Sequence, residues 1–208
     1  MREMFLTIEG IDGCGKSTQA QKLMQKLLKE GKSVVLTKEP GGTALGEYIR
    51  NLLLNKDMEP VTEFLLFAAD RKEHIEKIIK PYLWQGIIVI SDRFLDSSVA
   101  YQGYGRGVKN DFITCVHNFI TEGLKPDITF IIDIAPEVGL KRLKRFDRIE
   151  NGGIALLAKV REGYLEIARE EKRFVVIKGE GNEEEIFFNI WDEFLKRRKL
   201  WEREQRAL

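Results

Sequence analysis

The sequence of 208 residues has little cysteine, no long apolar run and almost no net charge. It contains two cysteines, Cys14 and Cys115, and Cys14 lies in a glycine-rich stretch that is unfavourable for a structural disulfide. This cysteine usage favours a reducing, cytoplasmic location. No apolar run approaches the roughly 18 residues of a membrane helix, so we expect no membrane partner. Lys and Arg number 34 against 33 Asp and Glu, which argues against a nucleic-acid partner.

Short apolar runs alternate with helical patterns along the chain. The five runs are nearly continuous rather than alternating, which is typical of parallel strands covered on both faces. They cover residues 4–9, 33–38, 87–91, 128–133 and 174–178. Helical stripes cover residues 20–28, 156–167 and 186–195, and further helices are predicted at about 43–54, 61–84, 95–103, 109–122 and 136–146. The alternation predicts a three-layer α/β fold, in which helices flank a five-stranded parallel sheet within a single domain, residues 1–208.

The segment IEGIDGCGKST, residues 8–18, joins the first strand to the first helix. Gly10, Gly15, Lys16 and Ser17 satisfy the pattern G-x-x-x-x-G-K-[ST]. In this pattern glycines allow backbone N–H groups to surround a phosphate, the lysine reaches the β- and γ-phosphates, and the serine hydroxyl can ligate Mg²⁺. The segment therefore predicts a nucleotide site on a P-loop NTPase fold.

The loop alone fits two classes of protein, a nucleotide kinase and a GTPase-type switch or ATPase module. Guanine specificity usually requires an N-K-x-D element after a strand. Residues 55–58 read Asn-Lys-Asp-Met, which misplaces the acid and follows a predicted helix. The kinase hypothesis is therefore favoured over the switch module, and a kinase acting on another base stays open as the second alternative.

Two stretches have the composition of an acceptor pocket. Residues 38–43, KEPGGT, follow the second strand, where Glu39 and the glycines could line a ligand site. The alternative is an ordinary turn in which Thr43 caps the next helix. Phe67 and Arg71 are spaced i, i+4 on a helix, so an aromatic ring could stack on a base while the guanidinium bonds its carbonyl. The alternative for Phe67 is a residue of the core.

A third stretch, residues 91–107, begins at the end of a buried strand. Asp92 at this position can orient Mg²⁺, and Arg93 can clamp a phosphoryl group. The alternative is a surface salt bridge. His74 and His117 fit no metal-binding pattern and are interpreted as ordinary structural or surface residues.

Taken together, these motifs resemble thymidylate kinases. In order, they are EGxDGxGKST at 9–18, EPGGT at 39–43, FxxxR at 67–71, DRF at 92–94, AYQG at 100–103 and DRIE at 147–150. The combination of EPGGT, DRF and AYQG is specific, and the resemblance extends from about residue 5 to 200. It implies the reaction ATP + dTMP → ADP + dTDP with Mg²⁺, carried out by a homodimer whose helices near 112–120 or 64–67 pack together.

The resemblance also implies roles for individual residues. The catalytic residues would be Lys16, Arg93, Arg145 and Arg148, and the metal ligands would be Ser17 and Asp92. The ATP site would comprise Gly10, Asp12, Gly13, Cys14, Gly15, Lys16, Ser17, Thr18 and Arg142. The dTMP site would comprise Asp12, Glu39, Phe67, Arg71, Arg93, Ser98, Tyr101 and Gln102. Within it, Phe67 would stack on thymine, Arg71 would bond O4, and Tyr101 would occupy the space of a 2′-hydroxyl.

Some thymidylate kinases carry an arginine in the P-loop where this sequence has Gly13. The chain resembles the other group, whose catalytic arginine comes from a mobile lid. Residues 139–151 begin GLKRLKRFDRIE and supply a basic segment that could close over the phosphates. Arg145 or Arg148 would then provide the missing charge. The alternative is a solvated basic helix face.

Overall fold

All five predicted strands form, each within one residue of its expected bounds. The computed structural model describes residues 2–143 and 152–207. Its strands are β1 (Phe5–Glu9), β2 (Val34–Lys38), β3 (Ile88–Asp92), β4 (Ile128–Asp133) and β5 (Phe174–Lys178). They pair in parallel in the order β2-β3-β1-β4-β5. The central strand β1 is wholly buried, whereas β2 at one edge is half-buried, and the predicted α/β fold is confirmed.

Helices connect the strands, as the alternation predicts. They are α1 (Lys16–Lys29), α2 (Ala44–Asn55), α3 (Pro60–His74), α4 (Lys80–Trp84), α5 (Leu95–Ser98), α6 (Asn110–Thr121), α7 (Pro136–Arg142), α8 (Gly153–Ile167) and α9 (Glu183–Ala207). Two π-helical segments, Ile75–Ile79 and Val99–Gly105, extend α3 and α5. The helix predicted over 136–146 is too long, because Leu143 is already extended, and Gly139 in its middle weakens helix propensity.

The parallel sheet brings the three candidate stretches to one edge. β1 leads into residues 8–18, β2 leads to Glu39, and β3 ends at Asp92. Backbone hydrogen bonds extend the strand pairing beyond the strands, since Glu39 N donates to Asp92 O at 3.0 Å and Arg93 N donates to Ile8 O at 3.1 Å. The carboxyl ends of neighbouring parallel strands are the usual ligand site of such sheets. Within the described residues, no helix is both long and apolar enough to cross a membrane.

Candidate active site

The loop after β1 adopts the backbone conformations that its glycines allow. Gly10, Gly13 and Gly15 have φ of +140°, +79° and +92°, and Gly15 directly precedes α1. A Cβ at Gly15 would meet no atom within 4 Å, whereas a Cβ at Gly13 would overlap the carbonyl oxygen of Gly139 in α7. A side chain at Gly13 is therefore disfavoured both by the backbone conformation and by the contact with α7.

Asp12 connects this loop to the neighbouring strand ends. Its Oδ1 accepts hydrogen bonds from Lys16 Nζ at 3.1 Å and from Arg93 Nη2, and its Oδ2 accepts one from Tyr101 OH at 2.6 Å. Burial alone would raise the pKa of Asp12, but Arg93 and Lys16 outweigh it and hold that pKa well below its usual range. Asp12 is therefore ionised, and its carboxylate holds the charged side chains of Lys16 and Arg93 beside each other.

Arg93 has a strained backbone and a highly constrained side chain. Its φ of +73° lies in the left-handed region that non-glycine residues avoid. Its Nη1 donates to Gly10 O at 3.1 Å, Ser97 Oγ at 3.0 Å and Tyr164 OH at 3.2 Å. Burial would lower the pKa of Arg93, but Asp12 raises it well above its ordinary value. Such strain is retained where the surrounding structure holds a group in a required position.

Ser17 and Asp92, the predicted metal ligands, lie together. Ser17 Oγ donates a hydrogen bond to Asp92 Oδ2. The other carboxylate oxygen, Asp92 Oδ1, is buried and has no hydrogen-bond partner within the described residues. Mg²⁺ commonly binds one or two protein oxygens, with water and substrate phosphates completing its shell. A hydroxyl beside a carboxylate with an unsatisfied oxygen fits that ion, and residues 2–143 and 152–207 contain no cluster of three or more metal-binding side chains.

A cavity of about 110 Å³ opens beside the P-loop. It is lined by Asp12, Glu39, Pro40, Arg50, Leu54, Phe67, Arg93, Ser97, Ser98, Tyr101 and Gln102. The structure thus brings together seven of the eight residues predicted for the dTMP site, with Arg71 behind them. Phe67 supplies an aromatic ring, and the π-helical segment after α5 carries Tyr101 and Gln102. The mixed lining, an aromatic ring beside charged and polar groups, suits a small polar ligand with a flat ring.

Arg71 lies behind the cavity wall, with only 1% of its surface exposed. Its Nε donates to Glu39 Oε2 at 2.8 Å, and its Nη2 donates to Phe94 O at 3.0 Å. Its Nη1 contacts Ser98 Oγ at 3.1 Å and His117 Nε2 at 2.8 Å. Burial and the guanidinium of Arg71 lower the pKa of His117 to about 2, so His117 is a neutral acceptor for Arg71. Arg71 therefore fixes two residues of the wall, Glu39 and Ser98.

The other oxygen of Glu39 is held by His74. His74 Nδ1 lies 2.9 Å from Glu39 Oε1, and its Nε2 lies 2.6 Å from Thr37 Oγ1. Both histidines of the chain are buried, so the structural alternative for them is confirmed and the surface alternative is wrong. Nearby, Asp70 Oδ1 accepts from Gly41 N at 3.0 Å. Burial and Glu39 raise the pKa of Asp70 to about 7.

The EPGGT motif contributes both to a helix cap and to the cavity wall. Thr43 Oγ1 accepts a hydrogen bond from Gly46 N at 2.9 Å and caps α2, so the capping prediction is confirmed. Glu39 and Pro40 of the same motif line the cavity. A helix cap and part of the cavity wall therefore lie within five residues, and the prediction that Glu39 lines a ligand site stays a prediction.

Several residues at or behind the wall were not predicted from the sequence, among them three with polar side chains. Ser97 and Arg50 line the cavity, and Arg50 Nη1 donates to Pro40 O at 3.0 Å. Glu63 lies behind the wall and accepts a hydrogen bond from Gln102. The signal for Glu63 was present, because residues 63, 67 and 71 are spaced i, i+4, i+8 on α3. No comparable signal pointed to Ser97.

The remaining predicted ATP-site residues lie around the loop. Cys14 is buried, and burial raises the pKa of its thiol; Ser17 and Thr18 are exposed at the start of α1. Arg142, at the end of α7, has its Nη1 3.4 Å from Gly13 O. Arg145 and Arg148 lie outside the described residues, as does most of the predicted lid.

Comparison with known proteins decides the family. The family model for thymidylate kinase matches residues 8–190. The chain belongs to the thymidylate kinase family. It is 44% identical over 199 residues to the thymidylate kinase of Halothermothrix orenii, a match that covers 92% of this chain and 96% of that one. The thymidylate kinase of Carboxydothermus hydrogenoformans is 47% identical over 195 residues, with 91% and 96% covered.

A solved structure supports the same assignment. The crystal structure of thymidylate kinase from Ehrlichia chaffeensis superimposes with a TM-score of 0.75 at 39% identity, and it covers 93% of this chain and 99% of that one. The resemblance inferred from the motifs and the P-loop NTPase fold are both confirmed. The switch-module alternative has no support among these thymidylate kinases.

Proposed function

We propose that the protein transfers the terminal phosphoryl group of ATP to dTMP and releases ADP and dTDP. The observation that carries this proposal is the position of the cavity. Asp12 and Arg93 belong both to its wall and to the surroundings of the P-loop. A nucleoside monophosphate in the cavity, with its phosphate towards Arg93, would therefore lie beside a nucleotide held by the loop. Membership of the thymidylate kinase family supports dTMP as that acceptor.

The lining suggests how dTMP is held. The Phe67 ring would stack on thymine, and Ser98 and Gln102 would contact the edge of the base. The Tyr101 ring would pack on the deoxyribose and leave no space for a 2′-hydroxyl. Arg50, whose guanidinium is anchored on the EPGGT backbone, would bind the acceptor phosphate. Because that phosphate is ionised at neutral pH, the reaction needs no general base.

The donor side would depend on alignment and charge. Lys16 and the loop N–H groups would bind the ATP phosphates, and Arg93 would contact the phosphoryl group during transfer. Ser17 and Asp92 would hold Mg²⁺, which supplies charge neutralisation on the phosphates when it is bound. In this scheme the residues Asp12, Ser97 and Tyr164 keep Arg93 in position.

A lid over residues 139–151 would complete the donor site. Gly13 has no side chain, and a Cβ there would overlap the Gly139 backbone, so in this scheme the basic group approaches from outside the P-loop. Arg142 already lies near the loop backbone. We therefore keep Arg145 and Arg148 as the candidates for the transition-state contact. Arg142 is the candidate for stacking on the adenine ring of ATP.

We also propose a homodimer in the cytoplasm. Helices α3 and α6 pack on each other and expose large apolar side chains, of which Leu65 is 46%, Phe112 40% and Phe119 84% exposed. Light scattering should give twice the chain mass, and Phe119→Glu should lower it if this face forms the interface. The unpaired thiols of Cys14 and Cys115 agree with a reducing compartment.

A coupled ADP-release assay tests the proposed reaction. ATP and Mg²⁺ would be supplied with dTMP, dUMP, dCMP, AMP or thymidine in separate reactions. We expect the highest kcat/KM with dTMP, and Lys16→Met should abolish turnover without unfolding the protein. Faster turnover with AMP or dCMP than with dTMP would contradict the proposal.

A further inference from the structure

Glu63 on α3 is a charged side chain with no exposed surface. Its Oε1 accepts a hydrogen bond from Gln102 Nε2 at 2.8 Å. Arg106 Nε lies 3.0 Å from the same oxygen. A buried charge is costly unless it is paired and hydrogen-bonded. The Arg106 guanidinium thus pairs with the Glu63 carboxyl group, and Gln102 is hydrogen-bonded to the same oxygen.

The contact fixes which end of the Gln102 amide faces Glu63. A carboxylate has only acceptor oxygens, whereas an amide has a donor end and an acceptor end. The end of Gln102 at 2.8 Å from Glu63 must therefore be the NH₂ group. Gln102 lines the cavity and Glu63 does not, so the carbonyl oxygen Oε1, at the other end of the amide from Glu63, is the acceptor that Gln102 can offer to a ligand. An isolated glutamine could rotate its amide by 180°, but Glu63 opposes that rotation.

A hydrogen-bond acceptor at this place distinguishes pyrimidines whose N3 atom carries a hydrogen from those whose N3 atom does not. Thymine and uracil carry a hydrogen on N3 and can donate it to a carbonyl oxygen. Cytosine has a lone pair on N3, which would face the Gln102 oxygen without a hydrogen between them. A buried acceptor that meets another acceptor costs free energy instead of gaining it.

We propose that Glu63 is a positioning residue that holds the Gln102 carbonyl towards the base, and so makes the site accept pyrimidines with an N3–H group and reject those without one. This inference rests on the proposed function, because it takes the ligand of the cavity to be a pyrimidine nucleotide. Glu63 acts through Gln102 and makes no contact with the ligand itself.

The test compares dTMP with 5-methyl-dCMP, which keeps the methyl group and differs at N3 and the 4-substituent. The variant is Glu63→Gln, because an amide at position 63 offers Gln102 both a donor and an acceptor and no longer fixes its orientation. We expect the kcat/KM preference for dTMP over 5-methyl-dCMP to fall by about 10-fold or more. Part of the preference should remain, because the two ligands also differ at the 4-substituent of the ring.

A second ligand separates this effect from general damage to the site. dUMP lacks the methyl group but keeps N3–H, so the ratio of kcat/KM for dTMP and dUMP should be the same in Glu63→Gln as in the unmodified protein. If the dTMP to 5-methyl-dCMP ratio is unchanged, or if both ratios fall together, Glu63 has no role in reading the base and the proposal is overturned. If the unmodified protein does not use dTMP at all, the proposed function fails first.

A second variant keeps the inference testable should Glu63→Gln not fold. Gln102→Leu removes the carbonyl without depending on Glu63. We expect kcat/KM for dTMP to fall by about 10-fold or more, and that for 5-methyl-dCMP to stay within a few-fold, because the cytosine ring loses a repulsion. The reverse pattern, a selective loss with 5-methyl-dCMP, would mean that the NH₂ group faces the base and would refute the proposal.

Discussion

Gly13→Ala should destabilise the protein more than the same change at another glycine of similar backbone conformation. Gly31, after α1, is the matched control, since its φ is +74° against +79° at Gly13. A Cβ at Gly31 would meet nothing within 4 Å, whereas a Cβ at Gly13 would overlap the carbonyl oxygen of Gly139. Both variants place alanine in the left-handed region, which costs about 1–2 kcal/mol. Only Gly13→Ala must also displace α7, which adds about 1–3 kcal/mol as in other overpacked sites.

Urea unfolding at neutral pH measures the difference directly. The free energy of unfolding should fall by about 1–2 kcal/mol in Gly31→Ala and by about 2–5 kcal/mol in Gly13→Ala, with an unchanged dependence on urea concentration. Equal losses in the two variants would refute the idea that contact with α7 excludes a side chain at Gly13. That result would also remove the structural reason for seeking the catalytic charge outside the P-loop.

Three further predictions concern charge. Asp92→Asn should lower kcat by about 100-fold or more and raise the Mg²⁺ concentration needed for half-maximal rate. The melting temperature should change little, and a normal Mg²⁺ dependence of the rate would exclude Asp92 as a ligand. Because burial and Glu39 raise the pKa of Asp70 to about 7 from 3.8, the folded state keeps a proton that the unfolded chain loses, and stability falls from about pH 4 to 7. Asp70→Asn should therefore flatten this decline and raise the melting temperature more at pH 8 than at pH 4, and equal shifts at both would contradict it. Arg145→Ala or Arg148→Ala should lower kcat by about 100-fold or more, and near-normal turnover in both would rule out the lid arginines.

Much of the fold was predictable because its signals are local. The five strands were found to within one residue, since each is a short apolar run bounded by polar residues. The P-loop was found because its glycines, lysine and serine lie within eight residues. The end of α7 at Arg142 was not predicted. The π-helical segments were not predicted either, because the apolar pattern does not distinguish i→i+4 from i→i+5 hydrogen bonding.

The candidate site was predictable where two of its residues belong to one motif. It was not predictable where the two residues in contact are far apart in the sequence. The i, i+4 spacing placed Phe67 and Arg71 on one face of a helix. It could not show that Arg71 lies behind the cavity wall, because its contacts with Glu39 and His117 come from other elements. Arg50 reaches the site only through the packing of α2 against the EPGGT segment.

The amino-acid sequence by itself determined the order of strands and helices, the P-loop and the motifs that point to thymidylate kinases. These features depend on periodicity and on residues close together in the chain. The tertiary structure decided that Gly13 is closed by Gly139 and that Glu63 orients Gln102. Both depend on backbones and side chains from distant elements approaching within a few ångströms, and no spacing along a single chain specifies such distances.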